Sequence, residues 1–323
     1  MRNYAHLIDN YDDDDTWSRR KPKPKAKRPR AEIMAEMVEE EHAVDGGFKP
    51  TFSASKHERA WIITYLGPFY EEHIISDVLR QVKGGKEATV YCCAAHPSMG
   101  VDLIAAKVYR PREFRQLRND AQYRQGRRVL DDQGKLVKDD RMLHAVAKGS
   151  TFGKQLAHTS WLAHEYRTLQ TLHAAGADVP RPWAIGENAI LMEYLGEEGI
   201  PAPTLHETRL DRDEARDLFE RLLHNIDLML QHGLVHGDLS AFNVLYWEGD
   251  VKIIDFPQAV EIATNHDAFT LFQRDVQRLC QYFDRYGVAP HPRRLATRLW
   301  RRYVAEDDFE ALNMLASQTE DDA

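Results

Sequence analysis

The alternation of apolar and polar positions divides the chain into a strand-rich half and a helix-rich half. Between residues 75 and 109 the apolar runs are short and bounded by Gly, Pro or charge: "ISDVLRQV" (75–82), "ATVYCCAA" (88–95) and "LIAAKVY" (103–109). Such runs predict strands of an antiparallel meander. "WLAHEYRTLQTLHAAG" then sets Leu162, Tyr166, Leu169 and Leu172 at helical spacing, with Gly176 closing the helix and Pro180 beyond it. "WAIGENAILMEYL" (183–195) reads as a hairpin. Asp211 and Glu214 make a capping-box-like start for a helix carrying Leu218, Leu222, Leu223, Ile226 and Met229 on one face, ended by Gly233. Residues 267–318 read as helical. Strands first and helices later, joined by a short link near 195–210, predict an α+β protein of two lobes.

Other segments break the pattern. Residues 1–50 predict a disordered acidic and basic tail, with a short helix in "AEIMAEMVEEEHA". Residues 51–74 are aromatic-rich up to Gly67-Pro68 and predict a helical extension packed on the segment after it. Residues 110–159 are highly charged and weakly periodic, which predicts a long flexible insertion with helical character around 112–128. The N-lobe then spans 75–194, the C-lobe 195–318, and 319–323 form an acidic tail.

Composition narrows the function classes. A hydrophobic share of 43% supports a real core. No run approaches the roughly 18 apolar residues of a membrane span, and the start, "MRNYAHLIDNYDDDD", lacks the apolar stretch of a secretory signal. Cys92 and Cys93 are adjacent and Cys280 stands alone, an odd count without metal-binding spacing. Reduced thiols in a cytoplasmic setting, with no membrane partner, are the expectation. The net charge of -8 argues against an overall nucleic-acid-binding surface. Charge is segregated, however: Asp12 to Asp15 precede "RRKPKPKAKRPR" (19–30), with eight basic side chains in twelve residues. That segment is a candidate RNA contact through counterion release, or a solvated tail.

The chemistry concentrates in "LVHGDLSAFNVLYWEGDVKIIDFPQ" (234–258). Folding its apolar runs about Glu248-Gly249-Asp250 brings Asn243 and Asp255 to the same end of a hairpin, with Asp238 just before it. Two carboxylates and an amide oxygen make a hard-oxygen set suited to magnesium, which keeps waters and takes further ligands from phosphates. Asp238 is also placed to accept a hydrogen bond from an attacking hydroxyl. Each residue alone is an ordinary strand terminator; the ordered set is far more specific. In the N-terminal half, Gly84-Gly85 lies between two strands, where bare backbone approaches phosphates closely. Lys107 sits in an apolar strand and needs an anion; Glu165, on the helix after the insertion, is the natural partner, with phosphate oxygens the second.

Taken in order, these segments resemble the RIO family of atypical serine/threonine protein kinases, and most closely its type-one branch. "GKEATVY" (85–91) is similar to the glycine-loop signature, "AAKVYR" (105–110) to the lysine strand and "WLAHEYRTL" to the charged helix. "LMEYLG" (191–196) resembles the interlobe hinge and "GIPAP" (199–203) a segment just beyond it. "LVHGDLSAFNVLY" and "IIDFPQAVE" resemble the catalytic and metal loops. The likeness spans about 75–275. It implies a protein-kinase-like fold with a small β-rich N-lobe and a mostly helical C-lobe. It also implies that Lys107 holds the α- and β-phosphates of ATP with Glu165 as its partner. Gly84, Gly85, Lys86 and Val90 would line the nucleotide, and Glu193 and Leu195 would offer backbone groups to adenine. Asp238 would be the catalytic aspartate, with Asn243 and Asp255 binding Mg2+. Asp255 would, in addition, accept the phosphoryl group as an acyl-phosphate. The metal loop reads Asp-Phe-Pro where ordinary protein kinases have Asp-Phe-Gly, and no Ala-Pro-Glu follows, which implies that the usual peptide-docking region is missing.

The activity implied is a Mg-ATP-dependent serine/threonine protein kinase or ATPase acting on a protein substrate or a ribosomal particle. Two further readings stand beside it. "HGDL" with a downstream Asn and "IDF" also occurs in aminoglycoside- and choline-kinase-like enzymes, so a small-molecule phosphotransferase is one. The other is a nucleotide-gated ribosome-assembly factor that uses the basic tail.

Overall fold

Ser55 opens the first helix: its Oγ accepts the Glu58 N–H, and α1 runs Lys56–Glu71 with Ile62, Ile63, Leu66 and Phe69 buried. These side chains cover one face of an antiparallel five-stranded sheet in the order β1-β2-β3-β5-β4. Its strands are β1 (Ile75–Gly84), β2 (Ala88–Ala95), β3 (Leu103–Tyr109), β4 (Pro182–Ile185) and β5 (Ala189–Glu193). This computed structural model describes residues 47–110, 127–131 and 134–303. The basic segment 19–30, the helix expected in 31–43, most of the helical character expected around 112–128 and the acidic end lie outside the described residues.

The sheet separates its two faces by the period of two along each strand. Ile104, Ala106 and Val108 of β3, with Ala189 and Leu191 of β5, join the α1 side in a core with Phe69, Ile75 and Tyr91. Ala105, Lys107 and Tyr109 therefore face the other way, toward the C-terminal half. That parity explains how a lysine sits in an apolar strand without entering the N-lobe core.

Two expectations need correction. Phe48 is buried against Tyr70 and Thr51 bonds Asp77, so residues 48–50 belong to the folded body and not to the tail expected over 1–50. The insertion of 110–159 is not uniformly flexible. It contains α2 (Asp140–Lys148), and α3 (Thr151–Ala174) begins about ten residues earlier than the apolar spacing indicated. Asp139 and Ser150 cap their N-termini, and α2 lies so close that a Cβ on Gly153 would meet the Ala145 carbonyl at 1.9 Å. Local capping and a helix–helix contact, not a long apolar stripe, specify this segment.

The C-terminal half packs α4 (Arg212–Gln231), α5 (Ala268–Asp284) and α6 (Pro292–Trp300) around one core that also takes in Trp161, Leu162, Leu169 and Leu172 of α3. Asp211 caps α4 through the Glu214 N–H, but the Glu214 carboxylate accepts from the Tyr246 hydroxyl, so the box is only half built. Between α4 and α5 run β6 (Leu234–Val235), β7 (Val244–Trp247), β8 (Asp250–Ile253) and β9 (Val260–Glu261). β7 and β8 pair through a two-residue turn in which Glu248 (φ 51) and Gly249 (φ 86) are both left-handed, the geometry that matches strand twist. β9 follows the Asp255 loop directly and α5 begins at Ala268, leaving no room there for a long peptide-docking segment.

One polar network fastens the loop after α3 to the C-lobe. Arg221 of α4 grips both Asp178 carboxylate oxygens (2.7 and 2.8 Å) and reaches Asp250 with its remaining nitrogen. Asn225 bonds the Asp178 backbone and side chain, and the Ile253 N–H donates to the Asp178 carbonyl.

Candidate active site

Lys107 is the centre of the site. Its Nζ lies 2.6 Å from Glu165 Oε1 and 2.6 Å from Asp255 Oδ1, joining β3, α3 and the loop after β8. The Glu165 side chain is 1% exposed, and its second oxygen accepts from the Tyr109 hydroxyl. Burial alone would pull the Lys107 ammonium down, but the Asp255 and Glu165 charges outweigh it and hold the lysine well above its ordinary value. For Asp255, surrounding protein would raise the carboxyl; the neighbouring ammonium overrides that and leaves it below the usual carboxylate range. Asp255 has φ 74, a left-handed conformation that costs a non-glycine residue about 1 kcal/mol and fixes where its side chain leaves the chain.

The other half of the site is the loop after β6. His236 is buried with its ring against Phe256. Its Nε2 donates to the Ile254 carbonyl (3.1 Å) and its Nδ1 accepts the Asp238 N–H, so the imidazole is neutral; burial lowers its pKa, in line with that role. The histidine is thus a spacer between the two loops that carry Asp238 and Asp255. Asn243 Nδ2 donates to the Asp238 carbonyl at 2.9 Å, and the Ile254 N–H donates to the Asn243 carbonyl, so Asp238, Asn243 and Asp255 are stitched together as their spacing predicted.

Helix α5 adds a clamp that the motif spacing did not predict. Asp275, 2% exposed, accepts the Gly237 and Leu239 N–H groups, and burial pushes its carboxyl up to about 7. Arg274 donates to the Gly237 carbonyl, and Arg278 Nη1 bonds Asp238 Oδ1 at 2.6 Å. Arg127, from within the insertion, donates to the Pro257 and Ala259 carbonyls and so holds the stretch just after Asp255. Of these, Asp275 left a readable signal: it interrupts the buried stripe of Phe272, Val276, Leu279 and Phe283 on α5. The arginines left none, because an arginine on a helix or in a charged segment is ordinary.

The fit to a divalent ion rests on the donor set. Asn243 turns its amide nitrogen inward to Asp238, and Asp255 gives one oxygen to Lys107. Asn243 Oδ1 and Asp255 Oδ2 therefore receive no hydrogen bond among the described residues. Two hard oxygens without donors suit magnesium completed by water and phosphate. No group of three or more His, Cys, Asp or Glu capable of holding a metal occurs among the described residues.

The expected nucleotide residues distribute unevenly. Val90 pairs with Lys107 across β2 and β3 and shares its face of the sheet. Gly84 ends β1, Gly85 donates its N–H to Ala88, and Lys86 is exposed at the hairpin tip. No contact among the described residues joins these three to Lys107. The Glu193 N–H is committed to the Arg181 carbonyl, and its side chain meets Lys252 at 3.2 Å. Leu195 accepts from Ala202 through its carbonyl, while its N–H has no acceptor among the described residues. An unpaired N–H at the lobe junction is what an adenine edge would satisfy. Gly196, next in the chain, has φ 110, and a Cβ there would sit 2.4 Å from the Ile200 carbonyl, so the junction folds back on "GIPAP" only with glycine.

Among the described residues no helix is long and apolar enough to cross a membrane. The chain is 33% identical over 72% of its length to serine/threonine-protein kinase RIO1 of Chaetomium thermophilum, and 30% identical over 67% to that of Homo sapiens. The matched segments span only 43% and 35% of those relatives. A solved Rio2 kinase-ADP/Mg2+-phosphoaspartate complex from Chaetomium thermophilum is similar at 16% identity and a TM-score of 0.49, covering 90% of this chain and 99% of that one. The family model of the RIO domain matches residues 90–295, more than half of the chain and all of the cleft from Val90 to α5. This chain belongs to the RIO domain family.

Proposed function

We propose that the cleft binds Mg-ATP and moves the γ-phosphoryl group, making the chain a serine/threonine protein kinase or ATPase of the RIO type. The observation that carries the reading is the Lys107 ammonium held at 2.6 Å between Glu165 and Asp255, a cation set on the face that Val90 shares. Lys107 orients phosphate oxygens, Glu165 keeps the lysine in place, and the Leu195 N–H receives the adenine edge. Asn243 and Asp255 hold magnesium, which supplies charge neutralisation on the phosphates. Asp238 gives Oδ1 to Arg278 and, apart from a long 3.5 Å contact from Asn243 Nδ2, keeps Oδ2 to accept the acceptor's hydroxyl proton. Asp255 Oδ2 is the second candidate acceptor: a bond from it to phosphorus, with ADP leaving, would store the phosphoryl group as an acyl-phosphate. The three cysteines are free and buried, which supports a cytoplasmic setting for an enzyme acting on a protein substrate.

The test is ATP turnover with magnesium. Asp238→Ala should lower phosphoryl transfer by about 10²- to 10⁴-fold while ATP still binds, because Lys107, Asn243 and Asp255 remain. Unaltered turnover in that variant removes Asp238 from the mechanism. Release of bound phosphate by hydroxylamine would mark the acyl-phosphate on Asp255; resistance to it would mark an ordinary phosphoester.

A further inference from the structure

Helix α5 aims two guanidinium groups, one turn apart, at the same short stretch of loop. Arg274 takes the Gly237 carbonyl and Arg278 takes Asp238 Oδ1. Between them Asp275 is 2% exposed and turned into the loop, where its carboxylate meets backbone N–H groups rather than either arginine's outer edge. The remaining site acids are also engaged: Glu165 is buried with Lys107 and Tyr109, and Asp255 is paired with Lys107. Arg278, by contrast, is 39% exposed, and Asp238 is its single partner among the described residues. Of the five N–H donors in a guanidinium fork, one is engaged among the described residues. The carboxylate that would attract a cationic acceptor is thus already neutralised, while the other donors of this partly exposed guanidinium have no partner among the described residues.

We propose that Arg278 sets acceptor specificity, so that the site favours a serine or threonine flanked by acidic side chains and disfavours a cationic acceptor. The inference rests on the phosphoryl-transfer reading above and names its substrate class. An acidic side chain beside the acceptor residue would meet the open edge of the guanidinium, where planar donors suit a carboxylate. A basic side chain there would meet a like charge with no free carboxylate to offset it. Arg278 is a specificity and positioning residue, since it acts on the acceptor side and through Asp238.

The experiment uses the full chain with Mg-ATP and two serine peptides of equal length, one flanked by glutamates and one by arginines. The quantity read is the ratio of kcat/KM between them, in which a general loss of activity cancels. In the unaltered protein the glutamate peptide should lead by about tenfold, and added salt should narrow the gap. Arg278→Ala should bring the ratio close to unity, chiefly by raising KM for the glutamate peptide. Arg278→Lys should keep part of the preference and guards against misfolding of the alanine variant. A lead for the arginine peptide, or an undiminished ratio in Arg278→Ala, overturns the inference. So does ATP turnover without transfer to either peptide, which leaves the proposed function standing. Absence of any ATP turnover removes that function and the inference with it.

Discussion

Replacing Lys107 by methionine isolates what the ammonium does for Glu165. The glutamate side chain is 1% exposed, and after the change its partner is the Tyr109 hydroxyl alone. A buried carboxylate stripped of its cation costs about 3–5 kcal/mol. A second route caps that cost, because the folded variant can take up a proton. A glutamic acid in water titrates near pH 4.3, and each pH unit above that adds about 1.4 kcal/mol to the uptake, or roughly 3.7 kcal/mol at pH 7 and about 1 at pH 5. Asp255 adds less than Glu165, since its side chain is 44% exposed and solvent screens part of its charge, although the surrounding protein also acts on it. Lys107→Met should therefore destabilise by about 3–4 kcal/mol at pH 7 and by about 1 at pH 5. The sign follows from linkage: the folded variant binds a proton that the unfolded chain releases, so its stability falls as pH rises. Urea denaturation followed by circular dichroism at pH 5, 6 and 7, each against the unaltered protein, measures the difference. Adding Glu165→Gln to Lys107→Met should recover most of the loss and flatten its pH dependence. A loss independent of pH, or no recovery in the double variant, refutes the account of a charge stranded in the core.

The remaining expectations concern the frame around the site. Asp275 sits near 7 when folded, above its unfolded value, so its contribution is complete below about pH 3.9 and lost as pH rises through 7. The stability difference between the unaltered protein and Asp275→Asn should fall by about 1.4 kcal/mol per pH unit from pH 5 to 7; a flat difference in denaturation experiments contradicts the raised acid. For Asp178, burial would raise the carboxyl, yet the Arg221 hydrogen bonds keep it low, so its contribution is present above its unfolded value and lost as pH falls through the lower folded one. Arg221→Ala should thus cost about 1–3 kcal/mol at pH 7 and visibly less near pH 3; an equal cost at both would point to packing. Gly196→Ala forces an alanine to φ 110 against the Ile200 carbonyl. It should lower Tm by about 4–8 °C, and a drop below about 2 °C would show that the junction relaxes freely.

How far the sequence foretold this site depends on the range of each interaction. The strands, the β7–β8 turn and the order of Asp238, Asn243 and Asp255 were legible because each is set by neighbours a few residues away. The Lys107–Glu165 pairing was legible for another reason: a cation on an apolar strand demands an anion, and few candidates lay on predicted elements. The α5 clamp was not, since Asp275 and Arg278 reach the loop across more than 35 residues of intervening chain. A helix position says nothing about which loop it will face. Residues 140–159 misled for the opposite reason, because capping by Asp139 and Ser150 starts helices that their weak apolar spacing does not announce.

The fastening of Asp178 turns α3 into a lever with its fulcrum at one end. Glu165 lies about ten residues from that anchored end, roughly 15 Å along the axis at 1.5 Å per residue. A tilt of about 10° would carry it some 2.6 Å, about the whole length of its contact with Lys107. A push on the far tip, where α2 abuts, would therefore have to overcome the contacts of Ser160, His158 and His164 before it broke that ion pair.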